Sequence, residues 1–225
     1  EHESKDRLDV MLPSIQSKLA LAVLAAAKAA DPPKKVTLAL FNWGEVSTEE
    51  LLEGLDGLLM AYMPHTSTAV AEVLTGAMNP SGKLPYTVYP NNATRQMDFL
   101  DMSLTAGQGR GYRYYTGSPL FGFGTGLSYS AWALSASEEA FGACLSSGCS
   151  SKQYTVHVKN AGPLAGSEVV QLYMSPPASP KGVWKAPLPA RRLIDFAKVR
   201  GLRSCPVCHQ ELIIRLRCAG GGWCR

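Results

Sequence analysis

The chain has 225 residues, of which 46% are hydrophobic and 18% charged, a composition typical of globular proteins rather than disordered, collagen-like or coiled-coil chains. Its formal net charge of +4 is spread along the sequence without a dense block of Lys and Arg, so no nucleic-acid partner is indicated. No apolar run of the sequence is long enough to span a bilayer, and no membrane partner is expected.

The first strong helix signal lies near the start of the chain. Apolar residues recur at the spacing of one helix face, at Ile15, Leu19, Ala22, Val23 and Ala26. This stripe predicts an amphipathic helix, and the Asp-Pro-Pro sequence at 31–33 ends it because proline cannot continue the helical hydrogen bonds.

Three short apolar runs predict strands, and helix signals separate them. The strands are predicted at Val36–Phe41, Leu58–Tyr62 and Leu84–Val88. The helices are predicted near Thr48–Gly54, after a capping-box pattern at Ser47 and Glu50, and from Thr66 or Ser67 to Leu74, with Gly76 in the favoured stop position. The alternation indicates a parallel-sheet α/β domain. Ligands of such sheets meet the loops after the strands, here Asn42–Ser47 and Met63–Ser67.

The hydrophobic period changes after about residue 131. Tyr154, Val156 and Val158 alternate with polar residues, and further short apolar runs follow at Val169–Tyr173, Leu193–Val199 and Leu212–Leu216. This pattern indicates an antiparallel β-sandwich with too few strands to be complete. We therefore predict an α/β fold class with a parallel-sheet α/β sandwich at 1–130, an incomplete antiparallel β-sandwich at 131–217 and a Gly/Cys-rich tail at 218–225.

Four stretches of the sequence carry recognisable motifs: EHESKDRLDVMLPSIQSKL at 1–19, NPSGKLPYTVYP at 79–90, GRGYRYYTGSPLFGFGTGLSYS at 109–130 and VKNAGPLAGSEVVQLYMSPP at 158–177. In this order they resemble segments of glycoside hydrolase family 3, most closely its β-xylosidase branch. The resemblance implies that residues 1–130 are the family's C-terminal α/β sandwich domain, truncated at its start. It further implies that residues 131–217 are a fibronectin type III-like domain and that the family's N-terminal barrel is absent.

The same resemblance implies retaining hydrolysis of terminal β-linked sugars, with xylo-oligosaccharides as the first choice of substrate. By its position, Glu1 resembles the general acid/base of the family, or Glu3 does if the alignment slips. The aspartate nucleophile belongs to the barrel, so this fragment alone is expected to be inactive. No cofactor is implied, and the implied partners are an oligosaccharide substrate and the missing barrel domain. The alternative function is a catalytically silent carbohydrate-binding or structural module derived from such an enzyme.

Two loops near the expected pocket depart from the family's small-residue pattern. They are Asn42-Trp43-Gly44-Glu45 and the segment Tyr62–Thr68, which includes His65, and both put the sugar specificity or the activity in question. A strip of aromatic and basic residues either lines a sugar pocket or packs between domains, and we favour packing. The strip comprises Arg110, Tyr112, Arg113, Tyr114 and Tyr115.

All six cysteines follow residue 140. Cys144 and Cys149 are predicted to close a small disulfide loop. Disulfides, free thiols and, with His209, a zinc site remain open for Cys205, Cys208, Cys218 and Cys224, and we predict no metal. The sequon Asn92-Ala93-Thr94 makes Asn92 a predicted glycosylation site. Cysteines and sequon together favour an extracellular or cell-wall location.

Overall fold

The computed structural model describes residues 9–63, 67–98, 100–143, 150–176, 187–205 and 209–217. The chain divides into two compact units. The first unit comprises residues 1–71 and 84–125, and the second comprises residues 72–83 and 126–225. The domain boundary at residue 130 stays a prediction, but residues 72–83 belong to the second unit although they precede that boundary.

The first unit contains a parallel pair of strands, β1 (Thr37–Leu40) and β2 (Gly57–Met60). Leu38 faces Leu58 in the register of this pair. The parallel pairing confirms the α/β class, and the crossover between the strands carries a 3₁₀ helix over Glu49–Gly54.

The third predicted strand, at residues 84–88, does not join this parallel sheet, so that prediction is wrong. The segment is not a continuous strand, since the backbone bends at Pro85 and Tyr86, and its two ends pair further along the chain: the Leu84 N–H donates to the Thr125 carbonyl at 2.9 Å, and the Val88 N–H donates to the Phe121 carbonyl at 2.8 Å. Val88 and Phe121 form an isolated antiparallel bridge. An apolar run predicts an extended segment but carries no information about its partner.

The first helix, α1 (Ser14–Ala29), lies where it was predicted but faces the other way. Ile15 and Leu19 of the predicted apolar stripe are 74% and 66% exposed. The opposite face is covered instead, with Ser17 buried and Leu24 half-buried. Because α1 is apolar on most of its circumference, the period of its sequence does not select the face that packs.

The predicted capping box at Ser47 and Glu50 is also wrong. The helix that follows is 3₁₀ rather than α, and Thr48 is its N-cap without a side-chain capping hydrogen bond. Ser47 is held by other contacts, since its N–H donates to the Val10 carbonyl at 2.7 Å and it bridges in parallel to Met11. Ser47 therefore lies one residue before the N-cap, and its hydroxyl only accepts a long hydrogen bond from the Glu49 N–H at 3.5 Å.

Helix α2 (Ser67–Thr75) ends as the sequence predicts. Gly76 follows it with φ +78°, a left-handed conformation that glycine adopts without a Cβ clash. A short helix, α3, spans Gly111–Tyr114. None of the described helices is long and apolar enough to cross a bilayer.

The second unit consists of antiparallel sheets. Its strands are β3 (Trp132–Ala143), β4 (Ser150–Asn160), β5 (Gly166–Met174), β6 (Arg192–Leu202) and β7 (His209–Arg217). One sheet has the order β3-β4-β7 and the other pairs β5 with β6. The four predicted runs lie in β4 to β7, whereas β3 was not predicted. Antiparallel sheets after a parallel α/β unit confirm the predicted fold class.

Valines from three strands form the core of the second unit. They are Val156 and Val158 of β4, Val170 of β5 and Val199 of β6, all buried. Tyr154 packs against this cluster, so the alternating pattern of β4 does point one face inward.

The segment 79–83, which carries the Asn-Pro-Ser-Gly-Lys motif, is anchored to this second unit. The Asn79 Oδ1 accepts hydrogen bonds from the Ser128 hydroxyl and from the Tyr129 N–H, both at 2.8 Å. The Asn79 Nδ2 donates to the Ala165 carbonyl at 3.3 Å. One amide therefore joins two segments of the second unit.

The lysine of the same motif forms a largely buried ion pair. The Lys83 Nζ lies 2.7 Å from the Glu168 Oε1 on β5, with side-chain exposures of 15% and 9%. Lys83 also donates to the Gly126 carbonyl at 3.2 Å. Two of the motifs that carry the family resemblance thus meet in one ion pair, and their role at these positions is structural.

Candidate functional site at the loops after the parallel strands

The predicted catalytic residues Glu1 and Glu3 lie outside the described residues, and their roles stay predictions. The same holds for His65 and for the predicted disulfide of Cys144 and Cys149. Residues that follow the predicted catalytic residues in sequence line a cleft of about 530 Å³ in the first unit. Its lining is Asp9, Met11, Leu12, Pro13, Ser14, Ser17, Lys18, Leu21 and Glu50.

The loop after β1 begins with a closed turn around Trp43. The Asn42 Nδ2 donates to the Gly44 carbonyl at 2.5 Å, and the Tyr86 hydroxyl reaches the same oxygen at 3.4 Å. The Asn42 Oδ1 is buried and has no hydrogen-bond partner in the described part of the chain. The turn thus has a fixed backbone and one unused acceptor.

Two carboxylates tie this loop to the segment that follows the third predicted strand. The Oε1 of the half-buried Glu45 accepts a hydrogen bond from the Tyr89 N–H at 2.5 Å. The Glu49 Oε2 accepts one from the Asn91 N–H at 2.8 Å. Backbone N–H groups of residues distant in sequence therefore satisfy both side chains.

Tyr89 connects the Glu45 carboxylate to the glycine-rich segment. Its hydroxyl accepts a hydrogen bond from the Gly111 N–H at 2.6 Å, and its ring meets that of Tyr115 edge to face with 4.8 Å between centroids. Burial raises the pKa of both tyrosines above its ordinary value, and the negative charge of Glu45 adds to both shifts. Both phenols are therefore neutral at physiological pH and act as hydrogen-bonding groups, not as bases.

The loop after β2 begins at Tyr62, which has a strained backbone. Its φ is +51°, in the left-handed region that a bulky residue adopts only at a cost. Its ring packs edge to face on Tyr86 with 5.8 Å between centroids. Burial raises its pKa strongly, and the Tyr86 hydroxyl contributes to the shift. The Tyr62 hydroxyl is nevertheless buried without a hydrogen bond of ordinary geometry to any described group.

Large apolar side chains of these two loops point into solvent. They belong to Phe41, Trp43 and Met63, and Trp43 is 75% exposed. The predicted departure from small residues therefore places an aromatic surface at the carboxyl ends of the two parallel strands.

The aromatic and basic strip at 110–115 packs within the first unit. Tyr112 stacks on Phe123 with 4.3 Å between centroids, and Tyr115 contacts Tyr89 as described above. Arg110 donates to the Asp98 carbonyl at 2.5 Å. These contacts all lie within one unit, so the favoured interpretation of packing between domains stays a prediction.

Glu45 and Tyr89 received no role from the sequence. The contact between them joins residues 44 positions apart, and no local pattern in one sequence signals it. Cys205 is disulfide-bonded, so its sulfur is not available as a zinc thiolate. Within the described ranges no group of three or more His, Cys, Asp and Glu residues is placed to hold a metal ion.

A parallel-strand unit followed by antiparallel sheets is the arrangement that this chain shares with solved glycoside hydrolases. Residues 1–129 match the family model described as the glycosyl hydrolase family 3 C-terminal domain, and the chain belongs to this family.

Two relatives, one from a plant and one from Thermotoga neapolitana, show what share of a related protein this chain covers. It is 31% identical over 229 residues to beta-xylosidase/alpha-L-arabinofuranosidase 2 of Medicago sativa subsp. varia, covering 88% of this chain and 28% of that protein. Beta-glucosidase 3B from Thermotoga neapolitana in complex with glucose matches with a TM-score of 0.74 and 26% identity, covering 94% of this chain and 30% of that one.

A GH3 exo-beta-xylosidase bound to a xylobiose aziridine probe matches with a TM-score of 0.77. At 23% identity, covering 95% of this chain and 29% of that one, it supports the fold alone. The chain therefore spans less than a third of each of these three proteins.

Proposed function

We propose that this chain is the C-terminal part of a retaining exo-β-glycosidase that removes terminal xylose from β-1,4-linked xylo-oligosaccharides. The observation that carries the proposal is the family match over residues 1–129, joined by similarity to a protein named as a β-xylosidase. Because the chain spans 28% of that relative, the nucleophile is assigned to a barrel domain outside this sequence.

In this proposal Glu1 is the general acid/base. Retaining hydrolysis uses two carboxyl groups about 5–5.5 Å apart, one to attack the anomeric carbon and one to protonate the departing oxygen. Glu1 donates that proton and then, as a carboxylate, activates the water that releases the sugar. Asp9 and Met11, which follow Glu1 by eight and ten positions, line a cleft. This supports the proposal that Glu1 lies beside a concave surface.

The loops after β1 and β2 form one wall of the sugar site in this proposal. Their exposed aromatic surface and buried hydrogen-bonding groups are the combination that small-molecule sites use. The second unit is assigned to the fibronectin type III-like class, and the protein to the extracellular space or cell wall.

A catalytically silent carbohydrate-binding module is the second candidate. The observation that favours it is Trp43, which is exposed on a loop where the family pattern has small residues. Such a protein would bind xylo-oligosaccharides without cleaving them.

The test compares leaving groups in the full-length protein that contains this chain. An acid catalyst matters when the leaving oxygen is basic, as in xylobiose, and matters little when a dinitrophenolate departs unprotonated. For Glu1→Gln we expect kcat/KM for xylobiose to fall by roughly 10²–10⁴-fold. The kcat/KM for 2,4-dinitrophenyl β-xyloside should fall far less.

Two control variants give this test its specificity. Glu3→Gln reports the alternative alignment, and Glu53→Gln changes an exposed glutamate of the 3₁₀ helix. If Glu1→Gln lowers kcat/KM equally for both substrates, or lowers it for neither, Glu1 is not the acid/base. A full-length protein that binds xylobiose but hydrolyses neither substrate would favour the silent module.

A further inference from the structure

We propose that Trp43 is a sugar-stacking residue that binds the apolar face of a pyranose ring of the oligosaccharide. The inference rests on the proposed function and deepens it, because it assigns sugar recognition to one side chain of this chain. It follows from the exposure of Trp43, the restrained backbone of its turn and the unused hydrogen-bond acceptor of the preceding residue, Asn42.

The exposure of Trp43 contrasts with the burial of its own loop. Its side chain is 75% exposed, whereas Val46 and Ser47 are among the most buried residues of the first unit. A tryptophan usually covers much of its surface, because its ring system is the largest apolar group that a protein can bury. The end of the loop is therefore buried in the first unit, whereas the Trp43 side chain is exposed to solvent.

The turn restrains the backbone at Trp43 before any ligand arrives. The Asn42 side chain reaches across Trp43 to the Gly44 carbonyl at 2.5 Å, which fixes the backbone on both sides of the ring. The next residue, Glu45, is bound to the Tyr89 N–H. A binding residue held in this way loses little conformational freedom when the ligand binds.

Unused hydrogen-bonding groups lie in the same two loops. The Asn42 Oδ1 is buried and lacks a partner among the described residues, whereas the buried Tyr62 hydroxyl interacts only with the Tyr86 hydroxyl. Because leaving a buried polar atom without a partner is unfavourable, such atoms mark places where water or a ligand completes the hydrogen bonding. Tyr62 also has a strained backbone, a feature that clusters at ligand sites.

The chemistry of the site favours a neutral, hydroxyl-rich ligand. Glu45 and Glu49, two of the carboxylates of this loop region, each accept a backbone N–H. An aromatic face next to hydrogen-bonding groups suits a pyranose, which has one apolar face and a rim of hydroxyls. Because the resemblance places small residues at this loop in the family, Trp43 is an addition that would change specificity.

The test measures the affinity of the 225-residue chain for xylotriose by isothermal titration calorimetry. An aromatic stacking contact is worth about 0.5–1.5 kcal/mol, so Trp43→Ala should weaken binding about 2- to 13-fold. Trp43→Phe should retain most of the affinity. The matched control is Phe196→Ala, which removes an aromatic that is 64% exposed on β6 of the other unit and should leave binding unchanged.

Several outcomes would overturn the inference. They are the absence of xylotriose binding by the wild-type chain, equal affinities of the wild-type and Trp43→Ala chains, and an equal loss with Phe196→Ala. Circular dichroism of each variant separates a lost contact from lost folding. Hydrolysis by the full-length protein with binding independent of Trp43 would refute this inference alone. Binding through Trp43 without any hydrolysis would refute the catalytic proposal and leave the stacking role in place.

Discussion

The Glu45 Oε1 accepts a hydrogen bond from the backbone N–H of Tyr89 at a distance of 2.5 Å. The contact joins the loop after β1 to a segment 44 residues further along the chain, and it places a negative charge near two tyrosine rings. One side chain therefore influences both the loop conformation and the ionisation of its neighbours.

The first prediction concerns the stability that this hydrogen bond supplies. Glu45→Ala leaves a partly buried N–H without its acceptor, and we expect the free energy of unfolding to fall by about 1–3 kcal/mol. Glu45→Gln should cost less, because an amide oxygen can accept the same bond. Urea denaturation measures both, with the exposed Glu53→Ala as control. An equal cost for Glu45→Ala and Glu53→Ala would show that the contact contributes nothing.

The second prediction concerns alkaline pH. Tyr62, Tyr89 and Tyr115 have pKa values raised above the ordinary value of about 10. Between that value and their folded-state values the unfolded chain loses protons that the folded chain keeps, so stability is full below pH of about 10 and falls above it. Urea midpoints across this range should show the fall.

Variants of two residues separate the contributions to this alkaline effect. Tyr62→Phe should flatten the fall in stability, because it removes the phenol whose pKa is raised most strongly. Glu45→Gln removes the negative charge and should lower the pKa of Tyr89 and Tyr115, as measured by the tyrosinate absorbance. A stability profile that is the same with and without the Tyr62 hydroxyl would contradict the assignment.

The third prediction concerns the ion pair of Lys83 and Glu168. Removing one partner of a buried pair leaves the other charge uncompensated, and we expect Lys83→Met to cost about 3–5 kcal/mol. Replacing both residues, as in K83M/E168L, should recover most of that loss because no charge remains buried. A double-mutant cycle measures the coupling, and independent, additive effects would show that the pair does not act as a unit.

The fourth prediction concerns a close approach of two glycines. A Cβ added at Gly126 would overlap the carbonyl oxygen of Gly82, whereas a Cβ at Gly82 would meet nothing within 4 Å. We expect Gly126→Ala to destabilise the second unit and Gly82→Ala to be tolerated. Thermal unfolding of the two variants makes the comparison, and equal midpoints would refute the steric argument.

The fifth prediction concerns glycosylation. Asn92 lies exposed in a turn, as an acceptor site requires. Expression in a eukaryotic secretory host should add a glycan mass that peptide N-glycosidase removes and that Asn92→Gln abolishes. Asn91→Gln, which leaves the sequon intact, should retain that mass, and its loss in this control would point to a folding effect instead.

Local patterns in the sequence predict where segments are helical or extended better than they predict what those segments contact. The helix at Ser14–Ala29 was predicted from its spacing, but the packed face was wrong because alanine and leucine surround most of the axis. The strand predicted at 84–88 is a bent segment, and its ends, Leu84 and Val88, pair with residues 120–125 rather than with a parallel strand. Both errors concern tertiary pairing, which a periodicity does not encode.

In the candidate site too, the positions of the loops could be predicted from the sequence, but their contacts could not. The loops after the two parallel strands follow from the strand predictions, since ligands meet that edge of a sheet. The hydrogen bond from Tyr89 to Glu45 and the strained φ of Tyr62 do not follow, because each depends on how distant segments pack. The exposure of Trp43 likewise depends on its neighbours and not on its own residue type.

The chain passes from one unit to the other at residues 71–72, 83–84 and 125–126. The β-sheets after residue 131 therefore do not form an independent structural unit, because residues 72–83 belong to the same unit. Transferred to another protein without residues 79–83, they would retain the Glu168 carboxylate but lose the ammonium group that neutralises it, together with the Asn79 amide that joins two of their segments. A recombination joint that keeps these partners together must fall before residue 72 rather than at the start of β3.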